Sequence, residues 1–109
     1  MTDTDALAAL AALAHPTRLA TFRLLVRHEP DGLSTGNLAA AAGLTQSTFS
    51  THLAVLVKAG LVTPEKRGRQ IIQRANLDTL RALMIFLAKD CCQGRAELCV
   101  PLLADLTCC

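Results

Sequence analysis

The chain contains neither tryptophan nor tyrosine, and only three of its 109 residues are phenylalanine. Its core must therefore be built from aliphatic side chains, and the dominance of Ala and Leu among them favours helices. Long hydrophobic runs are also missing, since the longest run near the C-terminus, residues 82–88, is far too short to span a bilayer. The first five residues include two acidic residues, Asp3 and Asp5, where a secretory signal needs basic ones. We therefore expect one cytoplasmic domain.

Cysteine is absent from residues 1–90, so any thiol chemistry is confined to the end of the chain. In a reducing cytosol, cysteines are more often ligands or redox switches than structural disulfides. A thiolate is a strong ligand for soft ions. We expect a folded domain over residues 1–92 and a cysteine-rich sensing tail over residues 93–109. The five cysteines are Cys91, Cys92, Cys99, Cys108 and Cys109.

Apolar spacing and capping residues predict five helices. Asp3 or Thr4 can cap the first helix, and Asn76 or Asp78 the last. Ser34 and Thr45 are suitable caps for the third and fourth helices, and Gly43 and Gly60 are well placed to end them. Pro16 suits the first turn of the second helix. The predicted ranges are about 5–14, 16–28, 35–42, 46–59 and 77–92.

The second predicted helix is amphipathic. We expect Arg18, Arg23 and Arg27 to point outward. The predicted buried stripe consists of Leu19, Phe22, Leu25 and Val26.

Residues 61–74 change from a helical to a strand pattern. β-Branched residues on both sides of a glycine-containing basic segment predict a two-stranded hairpin. The net charge from Lys58 to Arg74 is +4, whereas the other segments sum to −2. A solvated charged hairpin is one interpretation, but the clustering favours contact with phosphates. The predicted contacts at the tip are Lys66, Arg67 and Arg69.

Residues 33–60 are typical of a helix, a tight turn and a second helix. The second helix begins with short polar side chains around a lone Phe49, and capping explains Thr45 but not all of them. Such side chains can hydrogen-bond to base edges in the major groove, while the helix start favours phosphate. Together with the basic hairpin, this pattern predicts a winged helix-turn-helix, mainly α with a small β-hairpin wing. The predicted DNA contacts on the helix are Gln46, Ser47, Thr48, Ser50, Thr51 and His52.

The first and last helices carry more apolar surface than one small domain can cover. Leu7, Leu10 and Leu13 recur every three residues with alanines between them, and the last helix is apolar nearly all round. We therefore expect a homodimer that forms through the first and last helices. The alternative is a monomer whose terminal helices cover each other.

Three segments make the chain similar to one family. Residues 13–19, Leu-Ala-His-Pro-Thr-Arg-Leu, resemble the second-helix signature of the ArsR/SmtB family of metal-responsive repressors. Residues 45–53 resemble its recognition helix, and residues 56–62 match its Leu-x-x-Ala-Gly-Leu-Val helix end. The resemblance covers residues 6–90. It implies a homodimeric winged-helix fold that binds operator DNA without inducer and releases it when a metal or metalloid binds.

Three sensing sites known in the family are not matched in this sequence. Residues 33–53 contain no cysteine, which excludes the arsenic and cadmium/lead sites near the recognition helix. The zinc site on the last helix needs Asp and His, but residues 76–92 offer Asp78 and no histidine. His15, His28 and His52 are far apart in sequence, and their spacing indicates no ligand set.

Residues 89–99 resemble the C-terminal element of an arsenical-responsive subgroup of the family, with Ala96 where proline is usual. The resemblance implies that Cys91, Cys92 and Cys99 bind trivalent arsenic, as arsenite or methylarsenite, or antimony(III). In a continuous helix, residues 92 and 99 would lie about two turns apart, too far for one ion to bridge. A helix end at Gly94 can bring Cys99 back. Cys108 and Cys109 are assigned an auxiliary role.

The predicted function is an arsenic(III)-responsive transcriptional repressor. A thiol-redox repressor with a Cys91–Cys99 disulfide is the main alternative, and a disordered tail with spare thiols is another. An arsenical carrier or enzyme would not need the recognition helix, and no phosphate-type loop surrounds Cys91 as a reductase would require. We therefore expect no enzyme activity.

Overall fold

The computed structural model describes residues 1–88, 100–101 and 104–105. The five cysteines and the domain boundary predicted at residue 92 lie outside the described residues. Residues 1–88 form five helices and a three-stranded antiparallel sheet, which confirms the predicted winged helix-turn-helix. The elements are α1 (Asp3–Leu13), α2 (Pro16–Arg27), β1 (Leu33–Ser34), α3 (Thr35–Ala42), α4 (Gln46–Lys58), β2 (Val62–Arg67), β3 (Gln70–Ala75) and α5 (Leu77–Ala88).

The cap of the first helix differs from the prediction, and the cap of the last helix is one of the two residues predicted. Thr2, not Asp3 or Thr4, caps α1, and it forms a reciprocal capping box with Asp5. Asn76 caps α5, because its Oδ1 accepts from the backbone N–H of Thr79 at 3.3 Å. Asp78 instead forms an ion pair with Arg81.

The helix-turn-helix is bounded as its sequence predicts. Ser34 and Thr45 cap α3 and α4 by accepting backbone N–H groups three residues further on. Gly43 ends α3 with φ +70°, a left-handed conformation that glycine adopts without a steric penalty. Phe49 and Leu56 of α4 are fully buried and form the centre of the core.

Two predictions about α2 are wrong. Leu19 is 45% exposed, so the buried stripe of α2 is built on Phe22 and Leu25, with Val26 half-buried. Arg18, predicted to point outward with Arg23 and Arg27, is half-buried and hydrogen-bonded to the body of the domain. These positions depend on the angles at which helices pack, which periodicity does not fix.

The sheet contains a strand that the sequence did not predict. The two-residue β1 pairs with β3, which also pairs with β2, so the strand order is β1-β3-β2. Leu33 lies opposite Gln73, and Ser34 opposite Ile72. A strand of two residues has no periodic signature, which is why it escaped prediction. Through β1, the wing is joined directly to the start of α3.

The terminal helices leave apolar side chains exposed. α1 packs inward through Ala6, Ala9 and Ala12, so Leu7 and Leu10 face outward, while Leu13 is half-buried against the core. On α5, Leu83 is buried and Phe86 is half-buried, while most of the other large apolar side chains are exposed. Among the described residues, no helix has the length and apolar character needed to cross a membrane. The exposed apolar residues of the two helices are Leu7, Leu10, Leu77, Met84, Ile85 and Leu87.

Candidate nucleic-acid interface

The recognition helix α4 is fixed to the domain by its apolar side. Phe49 and Leu56 are completely buried, and Leu53 is 7% exposed. The tight turn before α4 is closed by the N–H of Leu44, which donates to the carbonyl oxygen of Ala39 at 3.1 Å. A helix held in this way presents one polar face in a fixed orientation.

The structure exposes five of the six helix residues predicted to contact DNA, namely Gln46, Ser47, Thr48, Ser50 and Thr51. Two of them are used within the helix. Thr48 takes part in the cap, since its N–H and hydroxyl both lie within hydrogen-bond distance of the Thr45 hydroxyl. Ser50 donates its hydroxyl to the carbonyl oxygen of Gln46 at 2.8 Å. Within the described part of the chain, the side chains of Gln46, Ser47 and Thr51 have no hydrogen-bond partner, and these three are best placed to bind bases.

His52 differs from the other five. It is half-buried, and its ring centroid lies 4.4 Å from that of His15, the N-cap of α2. Its Nδ1 lies 3.4 Å from Nη1 of Arg18. Partial burial, with His52 and Arg18 close by, holds the pKa of His15 below its usual 6.5. The structure therefore brings together two histidines that sequence spacing did not relate.

The basic residues of the wing fall into two groups. Lys66 and Arg69 are exposed at the tip and have no ion-pair partner among the described residues. Arg67 lies 3.1 Å from the carboxylate of Glu65 and donates to the carbonyl oxygen of Asp31. The hydrogen bond from Arg67 is the main reason that the pKa of Glu65 lies below its usual value. Lys66 and Arg69 are thus the freest cations of the predicted wing set.

A groove connects the recognition helix to the wing. Its open volume is about 380 Å³, and both Gln46 and Arg69 line it. Sequence reasoning missed the other polar residues of this groove, although the Ser34 cap marks the helix start that contributes several of them. The complete lining is Ser34, Thr35, Gly36, Gln46, Arg69, Gln70 and Ile71.

No group of three or more His, Cys, Asp or Glu side chains suited to hold a metal occurs among the residues that the structure describes. The ligand set predicted from the sequence, Cys91, Cys92 and Cys99 with auxiliary Cys108 and Cys109, lies outside those residues. The assignment of that site therefore stays a prediction.

Comparison with known proteins identifies the same architecture. A helix-turn-helix domain model matches residues 13–65. The transcriptional activator HlyU of Vibrio cholerae serotype O1 is 32% identical over 85 residues, which cover 78% of this chain and 76% of HlyU. A solved structure of a possible transcriptional regulator for arsenical resistance is 39% identical, with a TM-score of 0.59 and coverage of 89% of this chain and 94% of that one.

A second solved structure also aligns over most of the chain. It is the homodimeric winged helix-turn-helix DNA-binding domain of a possible ArsR-family regulator from Mycobacterium bovis, 25% identical, with a TM-score of 0.64 and coverage of 83% and 89% of the two chains. HlyU is named a transcriptional activator and the other two are named possible transcriptional regulators, in agreement with the prediction that the chain is not an enzyme. Together with the recognition helix and wing, they establish that the chain belongs to the ArsR family of winged helix-turn-helix transcriptional regulators.

Proposed function

We propose that this regulator is an arsenic(III)-responsive repressor that binds operator DNA as a homodimer and leaves it when trivalent arsenic binds its C-terminal thiolates. The observation that carries the proposal is the polar face of α4 beside the exposed cations of the wing. A base-reading helix and a phosphate-binding wing on one surface suit double-stranded DNA.

The contacts with DNA divide into two kinds. Gln46 can form a bidentate pair with adenine, and Ser47 and Thr51 can bind base edges or phosphates. Lys66 and Arg69 lie at the wing tip, where they would contact phosphates or a narrow minor groove. The first group would determine sequence preference, and the second would supply affinity that depends on salt.

A homodimer follows from the outer faces of α1 and α5. Leu7 is 66% exposed, Ile85 60% and Leu87 57%, so a large apolar surface would face water in a monomer. The Mycobacterium bovis relative is described as homodimeric. In a two-fold dimer, the recognition helices would lie about 34 Å apart, one turn of DNA.

The proposed inducer site consists of Cys91, Cys92 and Cys99. Arsenite, As(OH)₃, would form three As–S bonds, while the three thiol protons and the three hydroxide groups leave as three waters. Methylarsenite would use two thiols, and antimony(III) would bind as arsenite does. The 39% identical relative is described as a possible regulator for arsenical resistance, which supports this choice of ligand.

The tail follows α5, so a bound metalloid would act on the proposed dimer helices. A small change in their packing would alter the spacing of the two recognition helices. The arsenical must then bind the free dimer more tightly than the DNA-bound dimer, typically by 1–3 kcal/mol.

That the chain represses transcription, and does not activate it, is part of the proposal, because the relative HlyU is named an activator. A promoter fusion that is silent with the regulator and active after arsenite is the result expected of a repressor.

Selection of duplexes from a random library tests the DNA-binding part of the proposal, since enrichment of a two-fold symmetric site would support a DNA-binding dimer.

X-ray absorption at the arsenic edge tests the inducer site. We expect three sulfur neighbours per arsenic in the native protein and in a Cys108→Ser, Cys109→Ser control. Fewer sulfurs are expected in Cys91→Ser, Cys92→Ser or Cys99→Ser. A disulfide, detected as the loss of two protons with no arsenic bound, would favour the redox alternative.

A further inference from the structure

Three helices meet at Arg18. Its Nε donates to the carbonyl oxygen of Ala12 at 2.6 Å, and its Nη2 lies 3.4 Å from that of Ala11. Both carbonyls belong to the last turn of α1, which has no basic residue of its own. The guanidinium therefore supplies the positive charge that stabilises the carboxyl end of a helix. Nη1 of Arg18 lies 3.4 Å from Nδ1 of His52 on α4.

The geometry defines the protonation state of this junction. A guanidinium only donates hydrogen bonds, so Nδ1 of His52 must act as the acceptor and carry no proton. Nδ1 of His15 likewise accepts, because the backbone N–H of Thr17 donates to it at 3.1 Å. In this arrangement, the Nδ1 atoms of both rings therefore serve as hydrogen-bond acceptors. In the described part of the chain, the titratable or charged groups at the junction are His15, Arg18 and His52, and α1 contributes backbone carbonyls.

The junction joins the two surfaces on which the proposed function depends. α1 carries the exposed Leu7 and Leu10 of the proposed dimer face. His52 directly follows the exposed Thr51 on the recognition helix. One side chain therefore contacts both the helix that would set the dimer and the helix that would bind the bases.

We propose that Arg18 is a positioning residue for DNA binding, which ties the end of α1 to His52 and so fixes the orientation of the recognition helix within the dimer. This inference rests on the proposed DNA-binding function. Lysine keeps the charge but lacks the planar fork that reaches three acceptors at once. Arg18→Lys should therefore separate positioning from simple charge.

The test compares Arg18→Lys with Arg23→Lys, which makes the same change at an exposed position on the same helix. Fluorescence anisotropy with the selected duplex measures affinity at pH 7.5, and circular dichroism and sedimentation check folding and dimer formation. We expect the Arg18→Lys protein to be a folded dimer that binds the duplex about tenfold more weakly than the native protein. We expect Arg23→Lys to bind as the native protein does. A folded Arg18→Lys dimer with native affinity would overturn the inference.

The pH profile of the native protein gives a second readout that does not depend on a stable Arg18 variant. Protonation of His15 would place like charge beside Arg18 and remove the acceptor that holds the backbone N–H of Thr17, so affinity should fall from pH 7.5 to 5.5. His15→Asn should flatten this fall, because asparagine caps a helix without titrating. Affinity that rises on acidification would overturn the inference. A native protein that binds no duplex at any pH would instead overturn the proposed function itself.

Discussion

Arg74 of the wing strand β3 forms a bidentate ion pair with Glu29, in the turn that follows α2. Nη2 of Arg74 lies 2.7 Å from Oε2 of Glu29, and Nε lies 3.2 Å from Oε1. These hydrogen bonds raise the pKa of Arg74 above its usual value. The pair fastens the wing to the body of the domain, so Arg74 is a structural cation although it belongs to the basic segment identified in the sequence.

This distinction predicts different salt dependences for two wing cations. The slope of log affinity against log salt changes by about 0.9 for each phosphate that a protein cation neutralises. A homodimer carrying Lys66→Ala would neutralise two fewer phosphates, so its slope should become shallower by roughly 1.8. Arg74→Ala should lower the melting temperature. At temperatures where this variant is folded, its slope of log affinity against log salt should equal that of the native protein. Equal changes in slope would show that Arg74 also binds phosphate.

Gln46 should affect sequence preference more than general affinity. It is exposed at the first position of α4, and its side chain has no hydrogen-bond partner among the described residues. Replacing it with alanine should cost about 1–3 kcal/mol on the selected duplex and relax the preference at one base pair in each half-site. Binding to unrelated duplexes should hardly change. Competition assays with single-base variants of the duplex measure this preference. An equal loss of affinity on all duplexes would show that Gln46 contacts the DNA backbone and not a base.

The stability of the wing depends on Gly32. Its φ is +73°, and a Cβ at this position would lie 2.6 Å from the carbonyl oxygen of Gln73. Gly43 has a similar φ of +70° but open space around it. Gly43→Ala should therefore lower the free energy of unfolding only by the conformational penalty, about 1 kcal/mol. Gly32→Ala should lower it by about 3 kcal/mol, because a steric clash is added. Urea unfolding compares the two, and equal losses would contradict the close approach of the two backbones.

Folding stability should fall in mild acid because of His15. Its pKa is lowered in the folded state, so below pH 6.5 the unfolded chain binds a proton more readily than the folded one. The free energy of unfolding should therefore decrease as the pH falls from 6.5 towards the lowered pKa, and level off below it. His15→Asn should lose this component while keeping the cap of α2. Urea titrations at several pH values measure it, and an unchanged profile in the variant would assign the acid sensitivity elsewhere.

Local chemistry explains what the sequence predicted well. The caps at Ser34 and Thr45 and the left-handed Gly43 can each be predicted from a few neighbouring residues. The structure contains the helix-turn-helix whose ends these residues mark. The first cap was misplaced because polar residues at positions 2–5 offer several equivalent candidates. The choice of Thr2 depends on a reciprocal pair with Asp5.

Contacts between distant residues could not be predicted. Arg18 and His52 are 34 residues apart, and Glu29 and Arg74 are 45 apart. Both contacts depend on how helices and strands pack, and no local pattern distinguishes these arginines from exposed ones. The arsenic site is a prediction from the cysteine spacing and the family resemblance, since its residues lie outside the described part of the chain.

The most direct test of the account is the release of the selected duplex by arsenite. Fluorescence anisotropy should fall to the value of free DNA when micromolar arsenite is added to the native protein–DNA complex. Complexes of Cys91→Ser, Cys92→Ser and Cys99→Ser should form with native affinity and persist at the same arsenite concentration. A native complex that survives arsenite, or a triple variant that still releases its DNA, would contradict the account.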